Sequence, residues 1–309
     1  MKSLSVYIIL IFLTIQINAQ HFPLVSQFEE NKNLINPAAV IEDDLKVNLF
    51  YRNQWLGFDN SPKIIGLNSL MKYRNMNFGL FILNDKAGIF EQNTIHLNYA
   101  YALKLNETLS LSFGISGGLD IYALNYQDLN MNQDNDPFIL ANKNNTPLPD
   151  FNIGLYLHSN TDEEKEVFSS NVQRKFYAGF SIQHILDVIT ENQVAKNDSY
   201  LLKHYNFMGG YLFPAGSDLG IEMNFLLKYV SNVPFQGDIG FRAIYKNQYW
   251  AGLTYRSSND IIMKLGLYIS NKILIAYSFD LVTSNIPNKT SHEFILGYKI
   301  NKGMFIPKY

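Results

Sequence analysis

From Leu45 to the end of the chain, apolar residues recur at every second position, in stretches that mostly run nine to thirteen residues. A period of two belongs to a β-strand whose faces meet different surroundings. Ile95, Leu97, Tyr99, Tyr101 and Leu103 alternate with Thr94, His96, Asn98, Ala100, Ala102 and Lys104. Ile221, Met223, Phe225, Leu227 and Tyr229 alternate in the same way with Gly220, Glu222, Asn224 and Lys228. Ile261 to Ile269, Ile273 to Leu281 and Phe294 to Ile300 repeat the pattern. Marking every such stretch predicts about fourteen strands, near 45–55, 63–72, 76–84, 91–105, 109–122, 150–158, 174–184, 203–213, 217–229, 235–245, 248–257, 260–270, 272–281 and 290–300. Globular strands average about 5–6 residues, whereas a strand tilted across a bilayer needs roughly 9–11. The expected fold class is therefore all-β: a transmembrane antiparallel β-barrel of about fourteen strands with a short N-terminal periplasmic segment. An even strand number returns both termini to the periplasmic side.

Composition narrows the alternatives. Hydrophobic residues make up 47% of the 309 positions and aromatics 14%, yet the mean hydropathy is close to zero, so the apolar residues are dispersed. Beyond the first twenty or so positions no apolar run reaches the ~20 residues a spanning helix needs, which excludes a polytopic helical protein. With 22 Phe and 20 Tyr the chain is unlike a disordered one. A net charge of −2 gives no electrostatic support for binding nucleic acid. The absence of cysteine removes disulfides, thiol nucleophiles and thiolate metal sites together.

The chain opens like a secretory leader. Lys2 supplies the positive charge, Val6 to Ile17 an apolar core, and Asn18-Ala19-Gln20 a small residue at the cut. The expected organisation is a signal peptide over 1–19, an N-terminal periplasmic or plug segment over 20–44, and an outer-membrane barrel over 45–309. The competing organisation, an uncleaved anchor helix, has a short apolar run for a membrane span.

Connections fit a barrel. The links at Tyr73-Arg74-Asn75, Leu105-Asn106-Glu107, Pro214-Ala215-Gly216, Lys246-Asn247 and Asn271 are short and fall on one rim. Those from Tyr122 to Pro149, Ile185 to Leu202 and Val282 to Lys289 are longer and fall on the other, the outer-membrane asymmetry. Ser159 to Gln173 is an exception of middling length on the short-turn side. Tyr249 and Tyr255, and Phe235 and Tyr245, bracket neighbouring strands like rungs of an aromatic girdle.

On the inward faces the pattern places Lys104, Asp120, Glu222, Lys228, Asp238, Arg242, Lys264, Lys272, Asp280, Glu293 and Lys299. Mixed signs suit a lumen crossed by ion pairs, and equally a wide wet lumen in which the same charges are solvated. Fourteen strands are fewer than the 16–18 of open porins, which favours the narrower interior.

Signatures of chemistry are missing. The six histidines, at 21, 96, 158, 184, 204 and 292, show no metal-site spacing. Asp134-Asn135-Asp136 lacks the Gly and Glu of a calcium loop. Gly114, Gly117 and Gly118 lie within a strand, where close packing or a kink explains them better than a phosphate loop. Asp162-Glu163-Glu164-Lys165-Glu166 reads as a solvated turn, and no Gly-x-Ser-x-Gly elbow is present. No catalytic residue, cofactor or metal is expected.

Several motifs carry a family resemblance. Tyr51-Arg52-Asn53-Gln54-Trp55-Leu56-Gly57-Phe58-Asp59 with Ser61-Pro62-Lys63 resembles the opening motif of the PorP/SprF family of type IX secretion system membrane proteins. Asn36-Pro37-Ala38, Asn84-Asp85-Lys86-Ala87-Gly88, Phe176 to Ser181 with His184, Trp250 to Ser257, Ala276 to Asp280 and Ser291-His292-Glu293 are similar to further family elements. After Asn36-Pro37-Ala38 the chain departs, reading Ala39-Val40-Ile41-Glu42-Asp43-Asp44 where the family has an aromatic residue and a glycine. The resemblance implies a non-enzymatic protein of the bacterial outer membrane. Its partners would be a secreted cargo bearing a type IX C-terminal targeting domain, such as a gliding adhesin, other type IX components of the periplasm and outer membrane, and the lipid bilayer. Arg52, Asn53, Gln54, Trp55, Asp59, Asp85 and Lys86 would then fix loops at the rim or touch partners. The alternatives are an outer-membrane channel for small or hydrophobic solutes and a soluble β-rich carbohydrate binder.

Overall fold

In the computed structural model, alternation becomes a closed wall. The structure describes residues 25–41, 44–124, 147–160, 174–186, 189–190, 199–200, 202–231, 233–282 and 290–300. The strands are β1 (Leu45–Asn53), β2 (Lys63–Tyr73), β3 (Met76–Ala87), β4 (Phe90–Lys104), β5 (Leu109–Leu124), β6 (Pro147–Ser159), β7 (Lys175–Gln183), β8 (Ile189–Thr190) and β9 (Ser199–Tyr200). They continue as β10 (His204–Pro214), β11 (Leu219–Val230), β12 (Gln236–Tyr245), β13 (Tyr249–Arg256), β14 (Asp260–Ile269), β15 (Ile273–Val282) and β16 (Thr290–Ile300). β8 and β9 form a separate two-stranded sheet, and the other fourteen close into one antiparallel barrel through β1 and β16, Leu45 opposite Ile300. Closure of β1 onto β16 leaves the barrel sheet without a terminal edge strand, as a bilayer demands.

The two faces are inverted relative to a water-soluble protein. Leu97, Ile115, Leu253 and Leu265 are 65%, 58%, 56% and 58% exposed on the outside, while Asn48, Ser112, Asp238, Lys264 and Glu293 are buried inside. Lipid meets the apolar side chains and the lumen receives the polar ones. Tyr245 pairs with Tyr249, both exposed, where β12 turns into β13. Lys246 and Asn247 both have positive φ there, and the Gln248 N–H donates to the Tyr245 carbonyl at 3.0 Å, closing a tight three-residue link.

Three expectations are corrected. Lys104 and Lys272 stand exposed, one at the end of β4 and the other in the β14–β15 turn, because the inward alternation ends before it reaches them. β6 begins at Pro147, three residues earlier than predicted, and pairs with β5 from there. Proline cannot donate to a ladder, but β6 pairs with β7 only over Ile153 to His158, so Pro147 and Pro149 lie where the second edge needs no donor. β3 runs on to Ala87, three residues past its predicted end at 84, leaving Gly88-Ile89 to join it to β4. The leader at 1–19, Asp134-Asn135-Asp136 and the acidic run at 162–166 lie outside the described residues.

Candidate functional site

The lumen is occupied by the chain's own N-terminal segment. Two short 3-10 turns, Phe28–Glu30 and Lys32–Leu34, compact residues 25–41 so that they reach both walls. Ser26 and Gln27 donate their backbone N–H groups to the Glu293 carboxylate at 2.7 and 3.1 Å. Ser26 Oγ donates to Asp280 Oδ2 at 2.8 Å and accepts from Arg52 at 2.6 Å. Arg52 also pairs with Asp280 at 2.7 Å and lies 3.6 Å from Glu293. Lower in the barrel Lys264 pairs with Glu29 at 2.8 Å. Glu30 takes Lys46 at 2.9 Å, Arg242 at 2.7 Å and the Tyr268 hydroxyl at 3.0 Å. Burial pushes the Glu30 carboxyl up, but Lys46 and Arg242 outweigh it and hold it well below the usual carboxylate range. The charges around this segment are thus paired, as a dry interior requires.

Amides continue the attachment. Asn33 donates to Asn68, Asn68 donates to Asn31 and Asn33, and Asn48 donates to Asn31 and to the Glu30 carbonyl, all at 2.6–2.9 Å. Asn36 Nδ2 donates to the carbonyls of Leu155 on β6 and Phe180 on β7 at 2.8 and 3.2 Å, while its Oδ1 accepts the Ala38 N–H at 2.9 Å. Glycines make that approach possible. A Cβ on Gly154 would lie 2.0 Å from Asn36 Oδ1, and one on Gly114 would lie 2.2 Å from the Ala38 backbone nitrogen. Gly114 and Gly154 face each other across β5 and β6, so the wall is recessed where Asn36-Pro37-Ala38 enters.

The motif residues predicted from the sequence divide by position. Arg52, Gln54 and Asp85 are buried; the Gln54 N–H donates to the Pro62 carbonyl at 2.9 Å, closing the loop after β1. Asn53 accepts from Ser61 Oγ at 3.3 Å. Trp55 has φ 55° and donates its N–H to Ser291 Oγ at 3.1 Å, turning the chain outward. Asp59 is exposed and Lys86 half-buried. The Gly88 N–H donates to the Asn60 carbonyl at 3.0 Å, so the 53–62 loop and the 84–88 turn meet. Leu56 and Phe58, 50% and 49% exposed, form an apolar tip beside Asp59.

The close packing expected at the β5 glycines is found at Gly114, with residues 36–38 as its unforeseen occupant. A second feature had no signal at all. His96, His184, Asp120 and Asp150, scattered along the sequence, converge on one wall. No local spacing announces such a cluster, because each member comes from a different strand or strand end.

The sequence matches the profile of a family described as type IX secretion system membrane protein PorP/SprF over residues 17–298. No curated protein matches it. Among solved structures, the Pseudomonas putida toluene transporter TodX is 7% identical with a TM-score of 0.53, the match covering 93% of this chain and 96% of that one. The CymD monoaromatic hydrocarbon channel is 12% identical with a TM-score of 0.50, covering 91% and 94%. At these identities the likeness is one of fold: an outer-membrane barrel.

Proposed function

The chain belongs to the PorP/SprF family of type IX secretion system membrane proteins, and from that premise we propose that this outer-membrane barrel is a non-enzymatic interaction protein. It helps export or surface-anchor a secreted cargo, engaging the cargo's C-terminal targeting domain, and associates with other type IX components. The observation that carries this reading is the lumen bound to residues 25–41 by Arg52, Lys46, Arg242 and Lys264. A barrel filled by its own buried, charge-paired segment suits docking better than solute passage. The rim loop adds a contact face, with Leu56, Phe58 and Asp59 directed away from a loop that Gln54, Trp55 and Asn60 hold in shape. In this division Arg52, Asn53, Gln54, Trp55, Asp85 and Lys86 build the rim, and the exposed Asp59 faces partners.

Deleting the gene and quantifying surface proteins by mass spectrometry tests the proposal. Loss of one or a few surface proteins, with the cargo co-eluting from solubilised outer membrane, is expected. An unchanged surface proteome overturns it. The second reading, a channel for small or hydrophobic solutes, draws on the TodX and CymD folds. Large steady conductance of the intact protein in planar bilayers would favour that reading instead.

A further inference from the structure

On the inner wall near the outer rim, four side chains gather that the proposed function does not use. His96 comes from β4, Asp120 from β5, Asp150 from β6 and His184 from just beyond β7. Asp120, Asp150 and His96 are 1%, 0% and 2% exposed. His96 Nε2 lies 3.7 Å from Asp120 Oδ1 and 3.6 Å from Asp150 Oδ2. His184 Nδ1 lies 3.1 Å from Asp150 Oδ1 and 3.9 Å from Asp120 Oδ2. Ligand atoms of His96, Asp120 and Asp150 all fall within 4.8 Å of one another.

The local structure aims these groups inward. A Cβ on Gly118 would lie 2.4 Å from His96 Cδ2, so glycine at that position lets the imidazole lie against the wall beside both carboxylates. His184 has φ 57°, and its N–H donates to Asn152 Oδ1 at 2.8 Å, folding the residue back after β7 ends. Thr94 Oγ1 donates to Asp120 Oδ1, with Gln92 Nε2 at 3.4 Å from the same oxygen. What is left is informative: His96 Nε2, Asp120 Oδ2, both Asp150 oxygens and His184 Nδ1 are buried and have no hydrogen-bond partner among the described residues.

Two carboxylates buried side by side, with His184 Nδ1 at 3.1 Å from Asp150 and the other imidazole separations at 3.6–3.9 Å, are expensive unless a cation lies between them. Bonds of about 2.0–2.2 Å to a first-row divalent ion put neighbouring ligand atoms roughly 3.0–3.6 Å apart. The imidazole–carboxylate separations of 3.1–3.9 Å need only a slight contraction, and the ligand atoms as a set, within 4.8 Å of one another, draw together on binding. Nitrogen and oxygen donors without sulfur suit zinc or a similar first-row ion better than the all-oxygen calcium or magnesium sites. We propose that His96, Asp120 and Asp150, flanked by His184, form a binding site for one divalent first-row transition-metal cation. Asn152 Nδ2 lies 3.2 Å from His96 Nδ1 while its Oδ1 accepts the His184 N–H, so Asn152 positions both imidazole-bearing residues of the site. The ion acts as a clasp. Strand pairing between β6 and β7 ends at Ile153 and Ile182, and the site ties Asp150 to His184 beyond that point. This structural role is independent of cargo engagement.

The test uses untagged full-length protein, purified in detergent, stripped with chelator and dialysed. Isothermal titration with zinc chloride, with elemental analysis after desalting, is expected to show about one equivalent per chain and a raised unfolding midpoint. D120N and D150N lower zinc affinity at least roughly 100-fold, while H292N, away from the cluster, leaves it unchanged. Cobalt(II) in the wild-type protein reads the site without any variant, through visible absorption bands of a nitrogen- and oxygen-ligated ion of low coordination number. Failure of the folded wild-type protein to take up zinc or cobalt stoichiometrically overturns the proposal. Uptake that survives in folded D120N and D150N also overturns it.

Discussion

Arg52 on β1 reaches across β16 to donate to Asp280 Oδ2 on β15 at 2.7 Å, and both residues are 2% exposed. Glu293, opposite Arg52 on the intervening strand, turns its carboxylate to the backbone of Ser26 and Gln27. One guanidinium thus joins the barrel seam to the segment that fills it.

Removing one side of that contact leaves the other charge buried and unpaired. R52A and D280N are each expected to destabilise the barrel by about 3–5 kcal/mol. R52K retains the charge but loses the planar fork and falls between. Urea unfolding in lipid vesicles measures all three, and protease sensitivity near residue 26 reports release of the lumenal segment.

Glu30 makes attachment of that segment pH-dependent. Its folded carboxyl is held below the ordinary value of 4.5, so the resulting stability is fully present above that pH and is lost as pH falls below it towards the folded value. The difference in unfolding free energy between wild type and E30Q is expected to be largest near neutral pH. It should shrink steadily below pH 4.5, followed by urea midpoints at several pH values.

The glycine recess predicts a contrast between two substitutions of the same kind. G114A puts a methyl 2.2 Å from backbone and is expected to cost about 1–3 kcal/mol by displacing Asn36-Pro37-Ala38. G237A meets its nearest atom at 3.4 Å and should stay within about 0.5 kcal/mol of wild type. Equal effects in the two variants would mean that the recess does not hold the segment.

Adjacent residues on β14 should respond oppositely to charge. Leu265, 58% exposed, faces lipid, and L265R is expected to cost about 2–4 kcal/mol. Lys264 faces Glu29 at 2.8 Å, and K264M should cost about 3–5 kcal/mol by stranding that carboxylate. The double change of Lys264→Met with Glu29→Gln recovers part of the loss, and a mutant cycle measures how much.

The strands were legible because a bilayer imposes its contrast at every position. Ile261, Met263, Leu265, Leu267 and Ile269 against Lys264, Gly266 and Ser270 can be sorted without knowing any neighbour. Boundaries slipped where the rule depends on a partner: Pro147 is admissible in β6 only because β7 does not pair there. The loop motif was legible as residues but not as roles. Arg52 faces inward by its place on β1 beside the outward Tyr51, whereas the outward course of the loop to Asp59 passes through Trp55 at a positive φ, which the letters do not announce.

By itself, the sequence determined the all-β class, the strand count, the two faces and the mixed charge of the interior, since each depends on period, length or residue type along one strand. Only the tertiary structure decided what the interior charges meet. Glu30 joins Lys46 and Arg242, and Glu29 joins Lys264, across sequence separations of 16, 212 and 235 residues. Such pairings depend on closure of β1 onto β16 and on the path of residues 25–41 through the lumen, because a buried charge is satisfied by whatever the fold brings within about 3 Å of it.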